Sequence, residues 1–167
     1  AYDFSVGSPG PIAPLGWVEK VAAFAPTQLP GSKVQLGIPV YGRNWFTGKT
    51  GKCPVGQEIK TSNYSMTAGN ALTSLAGDGV APSQISRDAS SGEMNVSYSI
   101  TYKGLDAKGE KTQCVVSRRA FFADAKSVAD RVRVARAAGL AGAALWTIGG
   151  ESADQWPAVR DAVGVQK

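Results

Sequence analysis

Two short apolar runs of strand length, residues 33–41 and 141–148, are each preceded by an amphipathic helical pattern. The helical patterns cover residues 15–25 and 125–138, where apolar side chains recur at three- and four-residue spacing. A further helical pattern closes the chain at residues 153–163. Because a strand that is joined to its neighbour through a helix runs parallel to it, this order predicts a parallel sheet with crossover helices at both ends of the chain.

The middle of the chain follows a different pattern. Residues 95–102 (NVSYSITY) alternate between apolar and polar side chains without a break, which is typical of an antiparallel strand with one face in water. Residues 104–110 are suited to a hairpin turn and residues 113–122 to its partner strand, while residues 67–75 could form a short helix on the dry face. The alternation places Val96, Tyr98, Ile100 and Tyr102 on that dry face.

These patterns divide the chain into three parts. An antiparallel α+β module, residues 46–114, is inserted between two parallel parts, residues 1–45 and 115–167. The opening residues 1–4 (AYDF) resemble the end of a buried strand, which gives three parallel strands in all. Three strands neither close a barrel nor make a stable open sheet, because both edges would be long and apolar. We therefore expect further strands upstream of Ala1.

The composition limits the classes of function. With 43% hydrophobic and 19% charged residues the chain is globular, and it contains no apolar run long enough to span a membrane. The net charge is +5, and the densest basic group lies within one helical pattern. That group consists of Lys126, Arg131, Arg133 and Arg136. We interpret it as a solvated helix face and not as a nucleic-acid site, because no aromatic residues alternate with it.

The chain has no histidine and only two cysteines, Cys53 and Cys114. The absence of histidine excludes Ser/His and Cys/His catalysis and every imidazole metal site. Two isolated cysteines cannot form a zinc site, so they are either free buried thiols or one disulfide. A disulfide would place the protein in an oxidising compartment outside the cytoplasm. The sequence therefore predicts neither a metal nor a cofactor.

Three motifs resemble one known family. They are AYDF at residues 1–4, KVQLGIPVYGRNW at residues 33–45 and GLAGAALWTIGGE at residues 139–151. They are similar to the sixth, seventh and eighth strand motifs of glycoside hydrolase family 18, the chitinase-like (β/α)8 barrels, and above all to its bacterial branch of peptidoglycan N-acetylglucosaminidases. In that family an α+β module is commonly inserted after the seventh strand. The resemblance implies an α/β fold: the carboxyl-terminal half of a TIM barrel, strands 6 to 8, with an inserted antiparallel module.

The resemblance also implies roles for particular residues. Tyr2 would donate its hydroxyl to the substrate's acetamido carbonyl, and Asp3 would bind a sugar hydroxyl nearby; these two are the catalytic candidates. Trp146 would be the floor on which a sugar stacks. The candidates for substrate binding are Tyr41, Arg43, Trp45, Trp146 and Glu151.

Each of these residues also has a purely structural interpretation. Tyr2 and Asp3 could simply end a strand, and Trp146 could fill an alanine-rich core. Arg43 could form a structural ion pair with a carboxylate such as Asp3.

The family's fourth-strand signature, DxxDxDxE, whose final glutamate is the general acid, does not occur in this chain. The resemblance therefore implies a secreted or cell-envelope glycosidase that cuts β-1,4 bonds after N-acetylglucosamine in chitin or peptidoglycan, of which this chain alone is inactive. Its partners would be the polysaccharide and the missing amino-terminal half of the barrel, or a second copy of the chain. One alternative is a non-catalytic, lectin-like module. The other is a basic domain that binds an anionic envelope polymer.

Overall fold

The computed structural model describes residues 1–164 and contains two sheets and four α-helices within them. In chain order the elements are α1 (Leu15–Phe24), β1 (Gln35–Pro39), β2 (Tyr41–Gly51), β3 (Tyr64–Thr67), α2 (Ala71–Gly77), β4 (Ser86–Arg87), β5 (Met94–Leu105), β6 (Lys111–Phe122), α3 (Ala125–Ala137), β7 (Gly142–Trp146) and α4 (Gln155–Val163). In this part of the chain no helix combines the length and the apolar character needed to cross a membrane.

The first sheet has two parallel strands, β1 and β7, paired from Gln35↔Gly142 to Pro39↔Trp146. This confirms the prediction of parallel pairing between the two apolar runs. The predicted strand at residues 1–4 is wrong, because these residues form no strand ladder. The amino-terminal ammonium group nevertheless donates to the carbonyl oxygen of Gly37 at 3.0 Å, so the chain begins alongside β1.

The second sheet is antiparallel, with strand order β3-β2-β6-β5-β4. The predicted hairpin of alternating strands is confirmed as β5 and β6, which pair from Met94↔Phe122 to Leu105↔Lys111. The helix predicted at residues 67–75 begins later, at Ala71, because Tyr64–Thr67 pairs with β2 as a strand. The predicted module, residues 46–114, lies within the span of this sheet.

Two large apolar cores and a smaller cluster of Ile12, Trp45 and Phe121 hold the elements together. In the first, helices α1, α3 and α4 pack against β1; its fully buried members include Val18, Ile38, Val128 and Val132. In the second, α2 packs against the inner face of the antiparallel sheet; its members include Leu75, Val96, Tyr98 and Phe122. Each such large side chain contributes roughly 1.5–3 kcal/mol by leaving water.

Local signals fix both ends of α3. The Asp124 carboxylate accepts a hydrogen bond from the backbone N–H of Ser127 at 2.9 Å, which caps the helix, and it binds Arg87 at 2.5 Å. Burial works against the charged form of Asp124, but the hydrogen bonds from Arg87 and Ser127 outweigh it and hold its pKa below the usual value. Gly139, with φ of 66°, follows the last turn in the left-handed conformation that glycine adopts readily.

A buried ion pair joins α3 to the residue before β5, and its hydrogen bonds fix the loop that precedes α1. Arg131 and Glu93 lie 3.1 Å apart, and both side chains are only 1% exposed. The interpretation of Arg131 as part of a solvated helix face is therefore wrong. The Glu93 carboxylate accepts the backbone N–H groups of Ile12 at 2.8 Å and Ala13 at 2.7 Å, while Arg131 donates to the carbonyl oxygens of Ala13 and Ser91.

Cys53 and Cys114 form a disulfide, with their Cα atoms 4.6 Å apart. The structure thus decides between the two states that the sequence left open. The bond ties the segment after β2 to the beginning of β6, across a sequence separation of 61 residues.

The buried ion pair gives a stability prediction. Glu93→Gln removes one charge and one acceptor, which leaves Arg131 buried without a counter-charge, so we expect a loss of about 3–5 kcal/mol in the free energy of unfolding. The measurement is urea denaturation followed by tryptophan fluorescence. Asp130→Asn is the matched control because it removes a carboxylate that pairs at the surface with Lys126 and Arg133. Its expected cost is about 1 kcal/mol or less, and equal losses in the two variants would refute the assignment.

Candidate functional site

Five side chains meet at the carboxyl ends of β1 and β7: Tyr2, Asp3, Tyr41, Arg43 and Trp146, here called the Tyr2 cluster. The Tyr2 ring stacks on Trp146 with a centroid distance of 6.5 Å and an interplanar angle of 15°. It meets Tyr41 edge to face at 6.4 Å. Three separate stretches of sequence are therefore brought to one surface.

Asp3 is the polar centre of the Tyr2 cluster. Its Oδ1 accepts the hydroxyl of Tyr41 at 2.6 Å and the Nη2 of Arg43 at 2.7 Å. Asp3 has φ of 60°, a left-handed conformation that aspartate adopts more readily than most residues. The ion pair that the sequence suggested as a structural role for Arg43 is thus present, and it lies within the cluster.

Asp3 and burial together control the hydroxyl of Tyr41. Burial raises the pKa of Tyr41 well above its usual value, and the negative charge of Asp3 raises it further by opposing a phenolate beside it. Tyr41 consequently remains a protonated donor to Asp3 at neutral pH.

Trp146 offers an open aromatic face. Its side chain is 57% exposed although it ends a strand, and that of Tyr2 is 37% exposed. The Trp146 carbonyl oxygen accepts the N–H of Val40 at 2.8 Å, which fixes the backbone beneath the ring. The peptide bond from Trp146 to Thr147 is cis. Because it is exposed, the indole of Trp146 does not fill the core.

Gly37 is a site residue that the sequence analysis missed. A Cβ placed there would lie 3.1 Å from a ring carbon of Tyr2, so a larger residue would push the ring away. The available signal was a glycine inside a mostly apolar strand pattern, which commonly marks a close approach.

Trp45 does not join the Tyr2 cluster. It is 1% exposed, packs with Ile12 and Phe121, and donates its indole N–H to the carbonyl oxygen of Val6 at 3.2 Å. The expected position of Trp45 at the rim is wrong, because the loop containing Val6 and Ile12 covers its ring.

Glu151 lies apart from the Tyr2 cluster. Its carboxylate accepts the indole N–H of Trp156 at 3.3 Å, and it lines a separate cavity of about 400 Å³ with Ile148 and Val163. Backbone N–H groups, that of Glu151 first, hold its pKa below the usual value. A carboxylate that stays ionised in this way is poorly suited to donate a proton.

A polar network on the opposite face fixes the strand that carries Tyr41 and Arg43. Asn44 donates to the hydroxyls of Tyr64 at 2.8 Å and Tyr98 at 2.6 Å, and both hydroxyls donate in turn to Asp78. Arg118 donates to the side-chain oxygen of Asn44 at 2.9 Å. Because every step of this network is hydrogen-bonded, β2 is held rigidly beneath the cluster.

Comparisons with known proteins come from sequence and from structure. No family model matches this chain. The chain is 26% identical over 156 residues to a curated relative from Bacillus subtilis (strain 168) named "Uncharacterized glycosylase YvbX"; the alignment covers 92% of this chain and 38% of that protein.

Two solved structures are similar to this chain over nearly its whole length. A chitinase from Chromobacterium violaceum ATCC 12472 superposes with a TM-score of 0.69 at 23% identity, covering 99% of this chain and 44% of the chitinase. The Bacillus cereus spore cortex-lytic enzyme SleL superposes with a TM-score of 0.67 at 21% identity, covering 96% of this chain and 33% of the enzyme. The chain thus spans less than half the length of each of these proteins. Its fold is the α/β fold of these chitinase-like structures, present over part of their length.

Proposed function

We propose that this chain is part of a glycoside hydrolase that cleaves β-1,4 bonds after N-acetylglucosamine in chitin or peptidoglycan, with retention of configuration. The convergence of Tyr2, Asp3, Tyr41, Arg43 and Trp146 on one surface carries the proposal. A hydroxyl donor, a carboxylate and an exposed indole are the groups that recognise an acetamido sugar, and the similarity to named glycosylases and chitinases supports this substrate class.

The reaction in this family is assisted by the substrate. The acetamido oxygen of the sugar attacks the anomeric carbon while a carboxylic acid protonates the leaving oxygen. The chain's residues have the task of holding the acetamide in line and stabilising the charge that develops on it. Tyr2 donates its hydroxyl to the acetamido carbonyl. Asp3 accepts a sugar hydroxyl with the carboxylate that Tyr41 and Arg43 hold in place.

The residues of this chain bind the sugar but do not supply the acid. The signature DxxDxDxE is absent from these 167 residues. Glu151 is no substitute, because its lowered pKa keeps it ionised. The general acid then comes from a segment outside this sequence, and the three-part division at residues 1–45, 46–114 and 115–167 corresponds to half a barrel around an inserted module.

The open edge of the parallel sheet supports the proposal that a partner packs against β7. Ile148, Trp156 and Val163 are all exposed beside β7, and Ile148 is 94% exposed. Further parallel strands from the amino-terminal half of the barrel would cover this apolar edge, as would a second copy of the chain. The disulfide supports a secreted or cell-envelope location.

One prediction tests the polar centre of the Tyr2 cluster. Asp3→Asn removes the negative charge beside Tyr41, so the pKa of Tyr41 falls; it stays above its usual value because burial is the larger cause of the rise. The measurement is a pH titration of tyrosinate absorbance, with Tyr41→Phe identifying the signal of Tyr41. An unchanged Tyr41 titration in Asp3→Asn would refute the hydrogen bond.

A second prediction tests the aromatic floor. Trp146→Ala removes a stacking surface worth on the order of 1.5 kcal/mol, which weakens binding of an N-acetylglucosamine tetrasaccharide about tenfold. Titration calorimetry measures the affinity at low and high salt, and binding by stacking persists at high salt. Trp156→Ala is the matched control, because Trp156 is also an exposed tryptophan but lies on α4. Equal weakening in both variants would contradict the assignment of Trp146.

A third prediction concerns catalysis. This polypeptide alone does not release the chromophore from an aryl β-N-acetylglucosaminide, because it lacks a proton donor. Turnover above the uncatalysed rate that disappears in Tyr2→Phe would show that an acid within these residues had been overlooked. Binding without turnover would also be the behaviour of the lectin-like alternative. Adding the amino-terminal half of the barrel distinguishes the two, since only a hydrolase gains activity.

A further inference from the structure

The end of the antiparallel sheet farthest from the Tyr2 cluster carries a concentration of positive charge. Its exposed lysines, here called the cationic end, are Lys49, Lys103, Lys108 and Lys111. None of the four forms an ion pair with a carboxylate of residues 1–164. The nearby Asp106 is already engaged, because it binds Lys52 at 2.6 Å and accepts the backbone N–H of Lys108 at 2.8 Å. Glu110 lies in the same hairpin, so the fold offsets the positive charge here only in part.

The strand register brings two of these lysines to the same face. Leu105 pairs with Lys111, and Lys103 pairs with Gln113. Lys103 and Lys111 are therefore diagonal neighbours, with roughly 7–8 Å between their Cα atoms. Like charges at this separation repel each other, and water weakens the repulsion. A bound polyanion would remove that repulsion.

The cationic end is rigid, which lowers the entropy cost of binding. The disulfide fastens Cys53 to Cys114, and the N–H of Val55 donates to the carbonyl oxygen of Leu105 at 3.0 Å. The hydroxyl of Thr112 donates to the carbonyl oxygen of Lys52 at 2.7 Å. The hairpin and the segment after β2 thus form one cross-linked unit that presents the lysines.

The surface between these lysines is a shallow, open depression. An open hollow of about 780 Å³ is lined by Lys103, Gly104, Leu105, Lys111, Thr112 and Gln113. These lining residues combine cations with hydroxyl, amide and backbone groups, and none of them is aromatic. Proteins that bind single-stranded nucleic acid stack the bases on aromatic side chains, so this lining favours an acidic polysaccharide over a single-stranded nucleic acid, and duplex DNA is left to the test.

We propose that the cationic end binds an anionic carbohydrate polymer, whose phosphate or carboxylate groups contact Lys103 and Lys111. The site is distinct from the Tyr2 cluster. Arg43 pairs with Phe121, and Lys111 lies ten residues before Phe121 on β6, which corresponds to about 33 Å of extended strand. A polymer can make such a distant contact, whereas a short oligosaccharide held at the cluster cannot. The proposal does not depend on the glycosidase assignment.

The test measures binding of the whole chain to immobilised polymers at about 50 mM salt, where charge contacts are strong. The probes are poly(glycerol phosphate), polygalacturonate and double-stranded DNA, with a neutral N-acetylglucosamine tetrasaccharide for comparison. In Lys103→Gln/Lys111→Gln we expect affinity for an anionic carbohydrate polymer to fall about tenfold and its salt dependence to become weaker. Affinity for the neutral tetrasaccharide is unchanged. Tighter binding to poly(glycerol phosphate) identifies the charged group of the ligand as phosphate, and tighter binding to polygalacturonate identifies it as carboxylate.

The matched control is Lys20→Gln/Lys33→Gln. It removes the same net charge from two exposed lysines outside the antiparallel sheet. Equal weakening in both double variants would overturn the proposal, because net charge alone would then explain the binding. It would also be overturned if neither carbohydrate polymer bound at this salt concentration, or if DNA bound as tightly with the same loss in Lys103→Gln/Lys111→Gln. Circular dichroism verifies that both variants are folded.

Discussion

The buried pair of Glu93 and Arg131 is the constraint on which the arrangement of this molecule depends. Two charges this deeply buried are tolerated only when hydrogen bonds satisfy them, and here the partners are backbone groups of Ile12 and Ala13. The pair therefore fixes the loop before α1 against both β5 and α3. The carbonyl oxygen of Ile12 in that loop accepts a hydrogen bond from the N–H of Phe4. The loop therefore also positions the residues before Phe4, which include Tyr2 and Asp3.

Strand β2 connects the two surfaces for which functions are proposed. Its first residues, Tyr41 and Arg43, belong to the Tyr2 cluster, and Lys49 near its other end belongs to the cationic end. Asn44 fixes the strand from the opposite face through Tyr64 and Tyr98. Because β2 follows β1 after a single residue, the parallel and antiparallel sheets cannot move independently of each other.

The parts of the fold that were predicted from the sequence are those with local causes. Helix α3 lies within one residue of its predicted bounds, since Asp124 and Gly139 act within a turn of it. The start of β2 was missed because its inward positions, Gly42 and Asn44, are small or polar and give no alternation. For the site, the resemblance identified Tyr2, Asp3 and their neighbours. The burial of Trp45 and of Arg131 depends on a distant loop, which no local pattern reveals.

The charge of each surface determines which ligand it suits. At the Tyr2 cluster, the cationic side chain of Arg43 is already paired with Asp3, so what remains available is an exposed indole and hydroxyl groups. Such a surface favours an uncharged sugar, because an added anion would compete with Asp3 for Arg43. At the cationic end the balance is reversed, since Asp106 is engaged while Lys103 and Lys111 are free of ion pairs within residues 1–164. One rigid sheet therefore presents a neutral aromatic surface and a cationic surface at its opposite ends, an arrangement suited to a long polymer in which neutral sugars and anionic groups occur together.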